Sequence, residues 1–133
     1  MTPDELVNTV QSRMKTLVQD VLNIAGTFDN VEIDPPDGEP MFEAHVLLGE
    51  RTLAQLGNPR TFRTTGSLMV NIYAPVGEGS ASTGAIVNKI DEVFRGVTVD
   101  AVVYLVPQIQ RLGRQGTRHV TNVSCPFRHD DTE

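Results

Sequence analysis

The feature that most constrains this chain is a pair of long alternating segments joined by one break. Phe42, Ala44, Val46 and Leu48 take every second place in the first, between Met41, Glu43, His45 and Leu47. In the second, Phe62, Thr64, Gly66, Leu68, Val70, Ile72 and Ala74 share one parity, and Thr61, Arg63, Thr65, Ser67, Met69, Asn71 and Tyr73 the other. Side chains on a strand alternate between faces, so this period of two predicts strands with one buried face. The second run is more than twice the typical strand of about 5–6 residues. Gly57-Asn58-Pro59-Arg60 between them is a turn signal. The pattern therefore predicts a hairpin from Glu43 to Tyr73 whose tip leaves the domain body. The tip half, TLAQLGNPRTFRTT, is too polar to build its own core. An arm lying on a neighbouring subunit is the use this suggests; a surface hairpin without a partner is the plainer alternative.

The flanking sequence predicts two helices. Thr2, Pro3 and Glu5 form a capping-box start, and Leu6, Val10, Met14, Leu17, Val21 and Ile24 recur at spacings of four and three. This predicts a helix over Pro3–Ala25 stopped at Gly26. A short strand is expected at Val31–Ile33, inside an acidic, proline-rich loop. A second helix is expected from Ser82 to Arg95, capped by Ser80 or Ser82, with Ile86, Ile90, Val93 and Phe94 as its apolar stripe and Gly96 as its stop. The β-branched run Val97–Val106 predicts one strand buried on both faces and ended by Pro107. Arg111–Gly116 reads as a basic turn, Arg118–Phe127 as a last strand, and residues 128–133 as a disordered tail. The order α–β–β–β–α–β–β implies an α+β domain, 1–133, with a mostly antiparallel sheet and both helices on one face.

Composition excludes several classes. One cysteine in 133 residues precludes an internal disulfide framework. No basic-then-apolar leader opens the chain and no apolar run approaches the ~20 residues of a membrane span, so a soluble protein made in the cytoplasm is expected, without membrane contact. The net charge of −6 argues against a basic nucleic-acid footprint. That charge is uneven. Residues 1–50 hold ten acids against Arg13 and Lys15, a balance of −8; residues 51–133 hold seven acids against nine bases, a balance of +2. Such asymmetry suits head-to-tail contacts between copies, or contacts between stacked rings; solvated surface charge that simply falls this way is the plainer alternative.

No group of residues promises chemistry. PVGEGSASTG lacks the Gly-Lys-Ser/Thr ending of a phosphate loop and reads as a strand-to-helix connection. His119 and Cys125 lie six residues apart on one expected strand, ~20 Å at ~3.3 Å per residue, too far for a nucleophile–base pair. His129-Asp130-Asp131 falls in the expected tail, and Asp34-Pro-Pro-Asp37 offers too few oxygens for calcium. Arg111, Arg114, Arg118 and Arg128 suit ion pairing with an acidic neighbour at least as well as DNA phosphates. No catalytic residue, cofactor or metal is expected.

The order of features is more telling. Gly66, Leu68, Val70, Ile72, Pro75, Gly77 and Gly79 form a G-x-L-x-V-x-I…P-x-G-x-G run, a helix ending on Val93-Phe94 follows, and the last strand closes on Pro126-Phe127-Arg128. This pattern resembles the tail terminator (tail completion) proteins of long-tailed phages and prophages, over nearly the whole chain. A tryptophan often found in the family's first long strand is absent, and Phe42 and Phe62 are the candidates for its place. The resemblance implies a structural protein forming a ring, six-fold in that family, on the head-proximal end of the tail tube. The ring would stop polymerisation of the tube protein, meet the head connector, and pass DNA through its lumen without specific binding. The expected subunit interface is the arm, at Arg51, Leu56, Arg60, Phe62 and Arg63. Another head–tail connector, such as a stopper or neck adaptor, and a small ligand-binding domain are the competing readings.

Overall fold

The computed structural model describes residues 3–22, 25–28, 40–55, 61–75, 81–115 and 118–132. Its elements run α1 (Pro3–Met14), a π turn (Lys15–Gln19), α2 (Asp20–Leu22), β1 (Ala25–Phe28), β2 (Met41–Gln55), β3 (Thr61–Pro75), α3 (Ala81–Phe94), β4 (Thr98–Val99), β5 (Val102–Tyr104), β6 (Gln108–Gln115) and β7 (Arg118–Thr132). The seven strands form one open sheet in the order β1-β2-β3-β7-β5-β4, with β6 also on β7. β1 runs parallel to β2, and the other pairings are antiparallel. The α+β class expected from the element order is the one observed. Helix α1 leans on β2, and α3 on β3 and β7. Between helices and sheet lie Phe42, Ala44, Leu68, Val70, Ile72, Val123, Cys125 and Phe127, together with Ile86, Ile90, Val93 and Phe94 of α3.

The N-terminal helix departs from the expected stripe halfway along. Leu6, Val10 and Met14 are buried, but Leu17 and Val21 are 36% and 58% exposed, and Val18 is buried in their place. Leu22 packs against the same core. Apolar residues thus recur at every fourth position from Leu6 to Leu22, a spacing that drifts off one face of a 3.6-residue helix. The π turn absorbs one extra residue and returns Val18 and Leu22 to the core side. The helix ends at Leu22, not Ala25, because Ala25 opens β1; Gly26 is a strand residue opposite Phe42, whose ring fills the space a Cβ would need. Thr2 and the expected strand at Val31–Ile33 lie outside the described residues. Deleting the exposed Thr16 should convert the π turn to regular helix and change stability by less than about 1 kcal/mol. Deleting Asn8 rotates Leu6 away from Val10 and should cost about 3 kcal/mol. Equal losses for the two deletions in urea denaturation would contradict this account.

Strands β2 and β3 form the expected long hairpin, fifteen residues each. Thr64, Leu68, Val70, Ile72 and Ala74 of the predicted inner parity are buried. The arm is not a bare hairpin, however. β7 continues to Thr132 and pairs with β3 as far as Thr61. The segment read as a disordered tail from residue 128 is therefore strand through Thr132, and His129 is buried at 5% exposure. The acids of HDDTE signal a solvated tail in sequence, but in the structure Asp130 answers Arg63 across the strands.

The remaining differences lie after α3. Gly96 takes the left-handed conformation expected of a helix stop, at φ 64°. Val97–Val106 is not one strand. Asp100 and Ala101 both adopt positive φ, the geometry of a tight primed turn, which splits the run into β4 and β5. Leu105 and Val106 are 44% and 54% exposed, not buried. The basic stretch from Arg111 is not a turn either: Gln108–Gln115 is β6, paired with the first half of β7 through a bulge that Gly113 accommodates at φ 85°. β5 and β6 share one edge of β7, end to end.

Candidate assembly surface

The inner face of the sheet has helix cover only near its base. Along β2, Phe42 and Ala44 are fully buried and Val46 half-buried, while Leu48 and Leu53 on the same face are 38% and 45% exposed; Leu47, on the outer face opposite Ser67, is 57% exposed. Two register shifts, between Leu48 and Arg51 and between Leu53 and Gln55, bend this distal part. The shift places Leu53 opposite Phe62 and Arg51 opposite Thr64, on the inner face beyond the helices. A second group of exposed apolar side chains, Leu105, Val106, Ile109 and Leu112, lies on and beside β6.

The expected interface residues fall into three groups. Arg51 is exposed and Phe62 half-buried on the arm, as an interface would need. Arg63 is already engaged: its Nε and Nη2 donate to Asp130 Oδ1 and Oδ2 at 2.8 and 3.1 Å. That hydrogen bond holds the Asp130 carboxyl below its usual range and raises Arg63. The pair braces β3 against the end of β7. Leu56 and Arg60 lie outside the described residues. The exposure of the β2 leucines and of the β6 group has no local signal, because an apolar residue in a strand signals core unless its neighbours are known.

Several polar side chains on the outer face of the sheet bond to one another. Asn122 Nδ2 donates to Asn71 Oδ1 at 2.9 Å, Ser67 and Ser124 share a hydrogen bond at 2.8 Å, and Glu43 joins His45 at 2.8 Å and Tyr73 at 3.3 Å. Burial first, then Glu43, raises the Tyr73 phenol. Arg128 Nε is buried without a hydrogen-bond partner among the described residues.

Nothing described converges on chemistry. His45 sits on the outer face and His119 is exposed, whereas Cys125 is in the core. Among the described residues no group of three or more His, Cys, Asp and Glu approaches metal-binding geometry. An open groove of about 450 Å³ between α1 and the β4–β5 turn is lined by Ser12, Thr16, Leu17, Val99 and Asp100, with Arg13 and Tyr104 at its floor. Arg13 is committed elsewhere. It donates twice to the Val93 carbonyl, at 3.2 and 2.6 Å, and lies 5.7 and 5.5 Å from the Phe94 and Tyr104 ring centres.

Burial pushes the Cys125 thiol from 9.0 up to about 12 and the Tyr104 phenol from 10.0 up to about 12, the latter partly offset by Arg13. Both groups are held neutral in the fold, so between their unfolded and folded values the native state binds more protons. Stability is then full below about pH 9 and falls as pH rises toward about 12. The urea midpoint should drop from pH 8 to pH 10.5, less so in Cys125→Ala. At pH 8 a thiol reagent should label native protein at least tenfold more slowly than unfolded protein; equal rates would show that the thiol is accessible.

Fold and surface together describe a small α+β domain that presents strand edges and exposed apolar side chains, and among the described residues no metal-binding cluster forms. The family profile described as phage tail terminator protein matches residues 5–127, and the chain belongs to that family. No curated protein matches the chain. Among solved structures, one chain of 16% identity superposes with a TM-score of 0.62 over 91% of this chain and 93% of its own length, which shows a shared fold.

Proposed function

We propose that this protein caps the head-proximal end of a phage tail tube as a ring, stopping polymerisation of the tube protein and offering its far face to the head connector. The family match over residues 5–127 carries the reading. The exposed arm supports it, since a ring needs a heterologous interface that closes by rotation and an arm reaching a neighbour supplies one. Six copies is the number the family resemblance implies. The role is structural, without catalysis, cofactor or membrane contact, and the DNA passing through the ring is not specifically bound. On the outer face, Ser67 bonds Ser124 and Asn71 bonds Asn122, so these hydroxyls and amides are already taken up within the sheet.

Deleting the gene and imaging the particles tests this. Overlong tails without heads are expected. Tails of normal length beside leaking heads would move the protein to the head side, as a stopper or neck adaptor.

A further inference from the structure

The sheet has two long edges that nothing described covers, on opposite sides. β1 pairs only with Met41–Ala44 of β2, so the outer edge of β2 from His45 to Gln55 meets no other strand among the described residues. On the far side β6 pairs with β7 through one edge, and its other edge meets no strand among the described residues. Open edges usually carry lysine, proline or inward charges that block further pairing. Neither stretch holds lysine or proline; the register shifts and the inward Arg51 on β2, and the Gly113 bulge on β6, are the blocking features present. Each bears exposed apolar side chains: Leu47, Leu48 and Leu53 on β2, Ile109 and Leu112 on β6.

We propose that copies join edge to edge, the outer edge of β2 in one copy adding to the outer edge of β6 in the next, so that one sheet runs on from subunit to subunit. Charge decides that the occupant is a second copy in head-to-tail order. β6 holds Arg111 and Arg114 and no acid, whereas the free stretch of β2 holds Glu50 beside Arg51, both exposed. Pairing like with like, β6 on β6, sets arginine against arginine; pairing opposite edges lessens that repulsion and brings Glu50 to the basic edge. A contact between different edges cannot close as a two-fold dimer and propagates into a ring, with strand twist supplying a rotation at each step. The proposal rests on the ring reading above and names the surface that makes the ring.

The test uses cysteine pairs, since Cys125 is buried. Chains carrying Leu53→Cys with Leu112→Cys, and as a second set Thr52→Cys with Gln110→Cys, are treated with a short bis-maleimide, both purified at high concentration and in tails assembled by the phage. A ladder of cross-linked copies is expected from the double variants, only dimers from a mixture of the two single variants, and no product from either single variant alone. Adding Ile109→Lys should cut the ladder at least tenfold. Links between identical positions, links to the tube protein instead, or normal-length tails without any ladder in either set would overturn edge pairing while leaving the terminator reading intact. A ladder from a protein whose deletion leaves tail length unchanged would support edge pairing and sink the terminator reading.

Discussion

Replacing Gly66 by alanine is expected to lower the melting temperature by roughly 10 °C, and by valine to leave little folded protein. Gly66 sits in β3 between Leu48 of β2 and Phe127 of β7. A Cβ built there meets the Leu47 carbonyl oxygen at 2.7 Å and Phe127 Cζ at 2.7 Å. Neither neighbour has freedom to yield. The carbonyl belongs to the adjoining strand, and moving it breaks the ladder that holds the arm. The Phe127 ring is 1% exposed and packed 6.3 Å from the Tyr104 ring centre. Overpacking of this kind costs about 3 kcal/mol, a large part of a total that is ordinarily 5–15. Phe127→Leu separates the two halves of the clash. Combined with Gly66→Ala it should recover part of the loss, about 1 kcal/mol, because the carbonyl contact remains. Gly66→Ala melting within about 2 °C of the parent protein would show that the strands part more easily than this geometry allows.

The same residue shows what the sequence makes legible. Gly66 belongs to the alternating run that carries the family resemblance, and its place on the inner parity of β3 follows from period two alone. So do the burial of Leu68, Val70 and Ile72 and the stripe of α3, where Ile86, Ile90, Val93 and Phe94 all meet the core. Local periodicity sufficed there because the segment and its environment share one period. It failed where two signals overlapped. Leu17-Val18 and Val21-Leu22 are adjacent apolar pairs, so either member fits a helix, and only the packing chose the π turn. Val97–Val106 is β-branched throughout, and Asp100-Ala101 lacks the glycine that marks a primed turn. β6, rich in glutamine and arginine, is a strand because β7 lies beside it, a tertiary cause with no local signature. The proposed assembly surface is half legible. The arm was visible as a hairpin, but its free edge and the matching edge of β6 depend on strand order, which alternation does not encode.

Arg13 was visible only as one of two bases in an acidic half, yet its loss is the second large effect expected. Its guanidinium donates to the Val93 carbonyl near the C-terminal end of α3, where unpaired carbonyls and the helix dipole favour a cation. It also lies against Phe94 and Tyr104, which stack edge to face at 5.2 Å. One side chain thus ties α1, α3 and β5 together. Arg13→Met keeps most of the packing volume and removes charge and donors; it should cost about 2–3 kcal/mol in urea denaturation. Amide exchange should accelerate at the last turn of α3 before it does in β3. Arg13→Lys retains the charge but not the planar double donor, so it should recover about half of the loss. The Met variant lying within about 0.5 kcal/mol of the parent, or the Lys variant falling as far as Met, would break this reading. The groove beside Arg13 gives the result a second use. Arg13 itself is bonded within the fold, so the substitution should act on stability and leave the cross-linked ladder of β2 and β6 in the fraction that still folds. Loss of the ladder with stability unchanged would instead place the α1 side of the domain in the ring contact.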